Sequence, residues 1–350
     1  MCAFQHSQDS TGIVQLFDTE YNNDMNFGPS QVKYETITCN LCQGKDHKII
    51  SKKDRHGFRQ QSVICTSCGL IFLNPRMVKD DYDLFYKTDY YRRIVKEYIT
   101  LHHKSASWRL PNTEQESFDS ARSFGLALIL RVKKHLQSGL CIEVGSSSGG
   151  ILAAIRETTG NPVMGIEPSM SECAFAEKLG IPTAQCLFEN YVSTKSSAAN
   201  IFGVQSMNHF LDPKKFFLWA HENLRDDGSL IVVVQNFLTM MEKTRSVRYA
   251  TQIDHTYMFT PTSLQNFVRS AGFDIILFEN WKDKKIKKAG LTTHHMLIVA
   301  KKNMHTPFSI NSIDPKSFSN DYDLIKRYML SGFVRAPIKF IKKIYRQITR

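Results

Sequence analysis

The chain has 350 residues, a formal net charge of +12 and 42% hydrophobic residues. This length is about twice that of an average domain, so we expect two folded units, and the composition excludes collagen-like, low-complexity and wholly disordered proteins. No apolar run approaches the ~18 residues that a membrane-spanning helix needs. Residues 1–30 contain no Lys or Arg and lack the apolar centre of a secretory signal, which predicts a cytoplasmic protein.

The amino-terminal part divides into an arm and a small cysteine-rich unit. Residues 1–35 show no sustained periodicity and are predicted to form a flexible arm. Residues 36–76 are rich in turn and β-branched residues, which predicts two small hairpins. They carry two C-x-x-C motifs separated by 22 residues, with the cysteines Cys39, Cys42, Cys65 and Cys68. Four thiolates at this spacing fit a structural Zn²⁺ in a zinc ribbon, and the alternatives are two disulfides or four unrelated buried cysteines.

Two helices are predicted in residues 77–138, as a linker or cap before the main domain: Asp80–Lys104 and Ser117–Leu136. In residues 139–303, short apolar strands are predicted at Leu140–Val144, Pro162–Ile166, Ile201–Gln205, Leu230–Gln235, Asp274–Glu279 and His295–Lys301. Helical segments between the first four strands are Ile151–Thr158, Met170–Leu179 and Lys214–Asn223. This alternation predicts a parallel sheet with helical crossovers, and a basic loop predicts that the last two strands form an antiparallel hairpin.

The carboxyl-terminal tail, residues 304–350, ends in a segment that holds most of the excess positive charge. From Leu324 to Arg350 there are eight basic residues and no acidic residue. After Pro337, Ile and Tyr recur every three to four residues among Lys and Arg, which predicts a basic amphipathic helix. Such a helix suits peripheral contact with an anionic membrane or a partner; a terminal helix docked on the body is the alternative.

A glycine-rich turn follows the first strand of the main domain. Gly145 and Gly150 match two of the three glycines of a dinucleotide fingerprint, whereas Gly145 and Gly149 match two of the three in the turn of methyltransferases. Ser147 takes the middle position in both patterns, and a tight turn that binds nothing is a third possibility. Glu167 ends the next strand 22 residues after Gly145, near the spacing of an acidic residue that binds a ribose diol.

Four later segments distinguish between these possibilities: residues 205–213, 224–230, 254–261 and 271–273. In this order, and with the cysteine motifs in front, residues 39–301 resemble class I S-adenosylmethionine-dependent methyltransferases with an amino-terminal zinc-binding module. Members of this family often act in sugar and polysaccharide pathways.

The resemblance implies a Rossmann-like sheet of seven strands, mostly parallel, with a reversed last strand. The missing seventh strand would be the weakly patterned segment Pro182–Leu187. By the same match, S-adenosylmethionine binds over the strand ends. The cofactor-binding residues would be Glu143, Gly145, Ser147, Gly149 and Glu167, with Ser147 in place of a glycine whose missing Cβ normally admits the ligand.

Methyl transfer to a hydroxyl or carbon atom gains from a base, and a neutral imidazole suits that role near pH 7. His209 and His255 follow two strand ends, and Asp254 is expected to orient His255 or to cap a turn. The sugar C-methyltransferases that the chain resembles carry a Tyr-x-Glu-His run where this chain has Gln252 to His255. Because the phenol is absent at Gln252, the sequence favours a hydroxyl over a carbon acceptor.

The predicted function is therefore methyl transfer to a saccharide or sugar nucleotide in glycan biosynthesis. The alternatives are an RNA methyltransferase, in which the positive charge contacts phosphates, and a non-catalytic protein with a methyltransferase-like domain. Few aromatic residues in the ribbon region suit base stacking, so a small-molecule or glycan acceptor is favoured over nucleic acid.

Overall fold

The computed structural model describes residues 33–87, 113–192, 194–303 and 318–329, with only the backbone for 84–87. The predicted arm of residues 1–35 lies almost wholly outside this part of the chain. So do residues 88–104 of the first predicted linker helix and the amphipathic pattern after Pro337.

The main domain is built on a seven-stranded sheet. Its strands are β6 (Cys141–Val144), β7 (Val163–Glu167), β8 (Thr183–Gln185), β9 (Ala198–Val204), β10 (Leu224–Gln235), β12 (Phe273–Trp281) and β13 (His295–Lys302). Across the sheet they lie in the order β12-β13-β10-β9-β6-β7-β8. The first five pair in parallel, whereas β13 is antiparallel to both β10 and β12. The predicted α/β fold class is confirmed, and the weak seventh strand is β8.

Helices pack on both faces of this sheet, and the described part of the chain contains ten α-helices. They are α1 (Lys79–Lys87), α2 (Glu114–Val132), α3 (Gly150–Thr159), α4 (Met170–Lys178), α5 (Pro213–Asn223), α6 (Phe237–Thr244), α7 (Val247–Ala250), α8 (Pro261–Ser270), α9 (Lys284–Lys288) and α10 (318–329). Side chains cap their starts: Ser169 accepts from the Glu172 amide, and Asp212 accepts from the Lys215 amide. None of the described helices is both long enough and apolar enough to cross a bilayer.

The core has two layers, one on each face of the sheet. In β10, Leu230, Val232 and Val234 belong to one layer, while Ile231 and Val233 belong to the other. A strand buried on both faces is expected to be continuously apolar, which explains the LIVVV run. Each fully buried side chain of this kind contributes about 1.5–3 kcal/mol.

Helix α2, predicted as a linker or cap, packs on α3 as part of the second layer. A Cβ at Gly150 would lie 2.5 Å from the Phe118 carbonyl oxygen and 2.8 Å from the Ala121 Cβ, so glycine permits this close approach. Leu128 and Val132 of α2 are fully buried. The third glycine of the apparent dinucleotide fingerprint therefore serves helix packing.

The ribbon contributes three strands to one antiparallel sheet: β2 (His47–Lys53), β3 (Arg59–Cys65) and β4 (Ile71–Leu73). A fourth strand, β11 (Tyr257–Met258), comes from the main domain and pairs with β4. A separate two-stranded antiparallel sheet, β1 (Tyr34–Glu35) with β5 (Arg76–Met77), joins the two ends of the ribbon segment. The structure thus shows one sheet shared by the two units instead of the two separate hairpins expected from sequence.

Helix α10 lies within the predicted tail and packs against the ribbon. Ile325 is fully buried in a cluster with Ile64, Ile71 and Phe237. The Lys48 ammonium lies 4.7 Å from the ring centroid of Tyr322, close enough for a cation–π interaction. Part of the basic tail therefore docks on the body.

Candidate active site

A cavity of about 760 Å³ lies at the carboxyl ends of β6, β7 and β9. Parallel α/β sheets bind ligands at this edge. On the sheet side it is lined by Gly145, Ser147, Glu167, Ser206, His209 and Asp254. On the opposite side it is lined by the ribbon and α1, through Thr38, Asn40, Gln43, Arg76, Lys79 and Tyr82. The cavity is therefore formed jointly by both units.

Gly145 begins the turn after β6 with a φ of 74°, in the left-handed region. Its amide donates to the Ile166 carbonyl at 2.8 Å, which holds the turn against β7. A Cβ at this position would lie 2.5 Å from the Ser206 Cβ. Glycine is therefore required here for both backbone conformation and space.

Ser147 and Glu167 are held together across the cavity wall. The Ser147 amide donates to Oε2 of Glu167 at 2.9 Å, and the Ser169 amide donates to Oε1 at 3.0 Å. The Ser147 hydroxyl donates to the buried Glu172 carboxylate at 2.8 Å. These contacts fix the Glu167 carboxylate at the end of β7, where it faces the cavity and suits the hydroxyls of a ribose.

Gly149 and Glu143 lie behind the lining. Gly149 has a φ of 81°, and its Cβ position would be 3.0 Å from the Ile181 side chain, so it shapes the turn that starts α3. Glu143 is 1% exposed, and no described residue pairs with its Oε2 atom. Burial, followed by the nearby Glu167 charge, holds the pKa of Glu143 well above its usual range.

His209 and Asp254 form a pair inside the cavity. Nδ1 of His209 lies 2.9 Å from the Asp254 carbonyl oxygen and 3.6 Å from its Oδ2 atom. Because both oxygens accept, Nδ1 carries the proton of the neutral ring and Nε2 is the basic nitrogen. The Tyr82 hydroxyl donates to the His209 carbonyl at 2.6 Å, which fixes this segment. Asp254 was expected to orient His255, but these contacts are with His209.

His255 lies next to this pair, with its ring centroid 4.9 Å from that of His209. The amide nitrogen of Gln252 is 3.1 Å from Nδ1 and 3.0 Å from Nε2 of His255. Burial, with smaller effects from His209, Arg55 and His295, holds the pKa of His255 well below its usual range. His255 is thus a neutral, buried ring behind the cavity wall, and His209 is the histidine that lines the cavity.

The four cysteines of the ribbon converge as the spacing predicts. The Sγ atoms of Cys39 and Cys68 are 3.4 Å apart, and those of Cys42 and Cys65 are 3.5 Å apart. All four sulfur atoms lie within 4.8 Å of one another, and no disulfide links them. Four Zn–S bonds of about 2.3 Å require sulfur atoms about 3.8 Å apart, so the donor set fits a closed zinc site.

The turn that carries Cys39 and Cys42 places polar side chains against the cavity. Asn40, which lies between two of the cysteines, donates to Oδ1 of Asp212 at 2.8 Å and accepts from the Lys214 amide. Arg76 donates to the Leu211 carbonyl at 2.5 Å and pairs with Glu35 at 3.0 Å. The contacts of Asn40 and the Arg76–Leu211 bond link the two units, and they were not predicted because the sequence signals of ribbon and domain are local.

Residues 119–277 match a family model described as a methyltransferase domain. The chain contains a methyltransferase domain. Its predicted activity, an S-adenosylmethionine-dependent methyltransferase, is confirmed in this general form. No curated protein matches the chain.

Several solved structures are similar to the methyltransferase domain. One is a methyltransferase and possible histamine N-methyltransferase from Thermotoga maritima, with 21% identity, 54% of this chain and 95% of that chain covered, and a TM-score of 0.44. A methyltransferase from Clostridium acetobutylicum has 11% identity, covers 61% of this chain and 99% of its own, and has a TM-score of 0.42. A geranyl diphosphate C-methyltransferase from Streptomyces coelicolor has 14% identity, coverages of 50% and 77%, and a TM-score of 0.42.

Proposed function

We propose that the protein methylates a hydroxyl group of a saccharide in glycan biosynthesis, with His209 as the general base. The observation that carries the proposal is the His209–Asp254 pair, which faces the same cavity as Glu167. When bound, S-adenosylmethionine supplies an activated methyl group. Gly145, Ser147 and Glu167 would hold it, with Glu143 and Gly149 supporting the turn.

His209 acts on the acceptor through Nε2. This nitrogen takes the proton of the acceptor hydroxyl as the oxygen–methyl bond forms, and the sulfur keeps the electrons of the broken bond. The Asp254 carboxylate, 3.6 Å from Nδ1, stabilises the resulting imidazolium. A hydroxyl acceptor needs no enolate stabilisation, which agrees with an amide at Gln252 in place of a phenol.

The charge of the cavity supports a saccharide over RNA. Its lining contains three cationic side chains, Arg76, Lys79 and Lys215, and five carboxylates, Asp83, Glu167, Glu189, Asp212 and Asp254. Phosphate backbones bind to surfaces with an excess of Lys and Arg. A cavity rich in carboxylates, amides and a Tyr hydroxyl suits a neutral polyol instead.

The proposal is tested by incubating the full chain with S-adenosylmethionine and panels of saccharides, sugar nucleotides and RNA, with mass detection of methylated products. His209→Gln is expected to lower kcat by about a hundredfold or more, the usual contribution of a general base. It should leave S-adenosylhomocysteine binding unchanged, because Glu167 and the Gly145 turn are intact. Asp254→Asn should lower kcat less.

Methylation of RNA but of no saccharide would overturn the substrate class. Unchanged turnover in His209→Gln would overturn the assignment of the base. A shift of the pH profile in Asp254→Asn would distinguish an orienting carboxylate from one that only supports the fold.

A further inference from the structure

Next to the His209–Asp254 pair lies a group of polar side chains that the methyl transfer does not use. Gln235 ends β10, and His295 begins β13 as its register partner across the antiparallel pair. Gln235 is 9% exposed and His295 is 7% exposed. Both therefore lie buried at the acceptor edge of the sheet, where β10 adjoins the end of β9.

Two atoms of this group lack hydrogen-bond partners within the described part of the chain. They are Nε2 of Gln235 and Nδ1 of His295. Oε1 of Gln235 accepts from the Gln252 amide at 3.4 Å, so Nε2 is the atom of this amide without a partner among the described residues. A buried polar atom without a partner costs about 1–3 kcal/mol, so such atoms commonly indicate a ligand or an ordered water.

The surroundings of these atoms are electropositive. The loop between β2 and β3 is anchored near this group by the Arg55 amide, which donates to the Thr251 carbonyl at 3.0 Å, and the Arg55 charge acts on His255 and His294. Lys243 contacts Nδ1 of the adjacent His294 at 3.3 Å. Burial, followed by the charges of His295, Lys243 and Arg55, lowers the pKa of His294 to about 3.

The backbone at this position is also strained. His294 has a φ of 77°, which is uncommon for a residue with a Cβ. Its carbonyl accepts from the Asn236 amide at 2.8 Å and its own amide donates to the Trp281 carbonyl at 2.7 Å. The sheet therefore holds the start of β13 in a conformation that costs free energy, which is frequent at binding sites.

We propose that Gln235, His295 and Arg55 form a subsite that binds an anionic group of the acceptor, a phosphate or a carboxylate. This inference rests on the proposed saccharide acceptor and narrows it to a phosphorylated or acidic saccharide. The Gln235 amide donates to the anion and Arg55 supplies the opposite charge. Nδ1 of His295 accepts from a P–OH group, or donates after the ring takes up a proton beside the anion.

The position of the subsite explains how an anionic acceptor is compatible with a carboxylate-rich cavity. The two regions are connected through Gln252, whose amide nitrogen contacts Oε1 of Gln235 and the His255 ring, and the His255 centroid lies 4.9 Å from that of His209. The anionic group binds on the Arg55 side, and the reacting hydroxyl reaches His209 on the cavity side. The acceptor is thereby oriented between two fixed points, which reduces the entropy lost in the transition state.

The test uses calorimetry of the full chain with sodium phosphate and with sodium acetate. Gln235→Leu and Arg55→Gln should each weaken phosphate binding by about tenfold, since each removes an interaction with a charged group. Asn266→Leu is the matched control, because its amide nitrogen is also buried without a partner among the described residues but lies on α8. S-adenosylhomocysteine binding should stay unchanged in all variants and verifies the fold.

Phosphate binding without acetate binding assigns a phosphorylated saccharide, and binding of both also admits an acidic one. Binding of neither anion, or equal affinity in the wild type and both variants, means that water alone occupies the site and overturns the proposal. Because these measurements need no turnover, they are independent of the methyl-transfer assay. A failure of the subsite is thus distinguished from a failure of the proposed function.

Discussion

The Ser147 position allows a sharp test of the glycine-rich turn. Its φ of 48° lies in the left-handed region, which costs a residue with a Cβ roughly 1 kcal/mol relative to glycine. Its hydroxyl donates to the buried Glu172 carboxylate at 2.8 Å, and such a bond to a charged group contributes about 1.5–3 kcal/mol. Ser147→Gly should therefore lower the free energy of unfolding by about 0.5–2 kcal/mol. Ser147→Ala, which keeps the strain and loses the bond, should lower it by the full ~1.5–3 kcal/mol.

Ser196 provides the matched control, because it has a φ of 56° and is exposed. Ser196→Gly should stabilise the protein by up to about 1 kcal/mol, since only strain is relieved. The assay is urea unfolding of each variant, together with calorimetry of S-adenosylhomocysteine. Binding by Ser147→Gly should be at least as tight as in the wild type, because the amide that pairs with Glu167 remains. If Ser147→Gly stabilised the protein as much as Ser196→Gly, the contact with Glu172 would contribute nothing.

Three further predictions concern the fold around the site. Gly145→Ala should lower both stability and cofactor affinity, because its Cβ would lie 2.5 Å from the Ser206 Cβ. Gly160→Ala is the control: with a φ of 71° and no atom within 4 Å, it should lose only about 1 kcal/mol of stability from strain. Equal losses of the two variants in urea unfolding would refute the clash at Gly145. Burial lowers the pKa of His295 from 6.5 to about 4, so the unfolded state binds the extra proton and stability should fall as the pH drops from 6.5 towards 4, by about 1.4 kcal/mol per unit. Because the lowered pKa values of His255 and His294 add to the same slope, His295→Asn should reduce it by about 1.4 kcal/mol per pH unit in acid-unfolding curves, and an unchanged slope would contradict this. Purified protein should contain one zinc per chain by elemental analysis, and a chelator should lower the melting temperature; a metal-free chain with an unchanged melt would disprove the zinc site.

The strands were predictable where burial on both faces produces an uninterrupted apolar run. The LIVVV segment lies in the carboxyl-terminal half of β10, and its polar end at Gln235 was correctly placed. The amino-terminal extension to Leu224 was missed, because Asp226, Asp227 and Gly228 resemble a turn and the register shifts between Leu224 and Ser229. Strand β11 has only two residues, too few for a periodic signal.

The candidate site was predictable in part for a related reason. Gly145, Ser147 and Glu167 follow strand ends at known spacings, and His209 follows β9 in the same way. Arg55 carried no comparable signal, because it reaches the site through a hairpin whose position depends on docking between two units. The partner of Asp254 was likewise determined by tertiary packing rather than by its neighbour in sequence.

The shared strand β11 has a consequence for synthesis on the ribosome. Its Tyr257 pairs with Phe72, so the ribbon's sheet is completed by a segment that emerges 185 positions later. At about 5–20 residues per second, this delay is roughly 10–40 seconds. During that interval the nascent ribbon has an open edge at β4, and zinc binding by its four cysteines would stabilise it before β11 emerges.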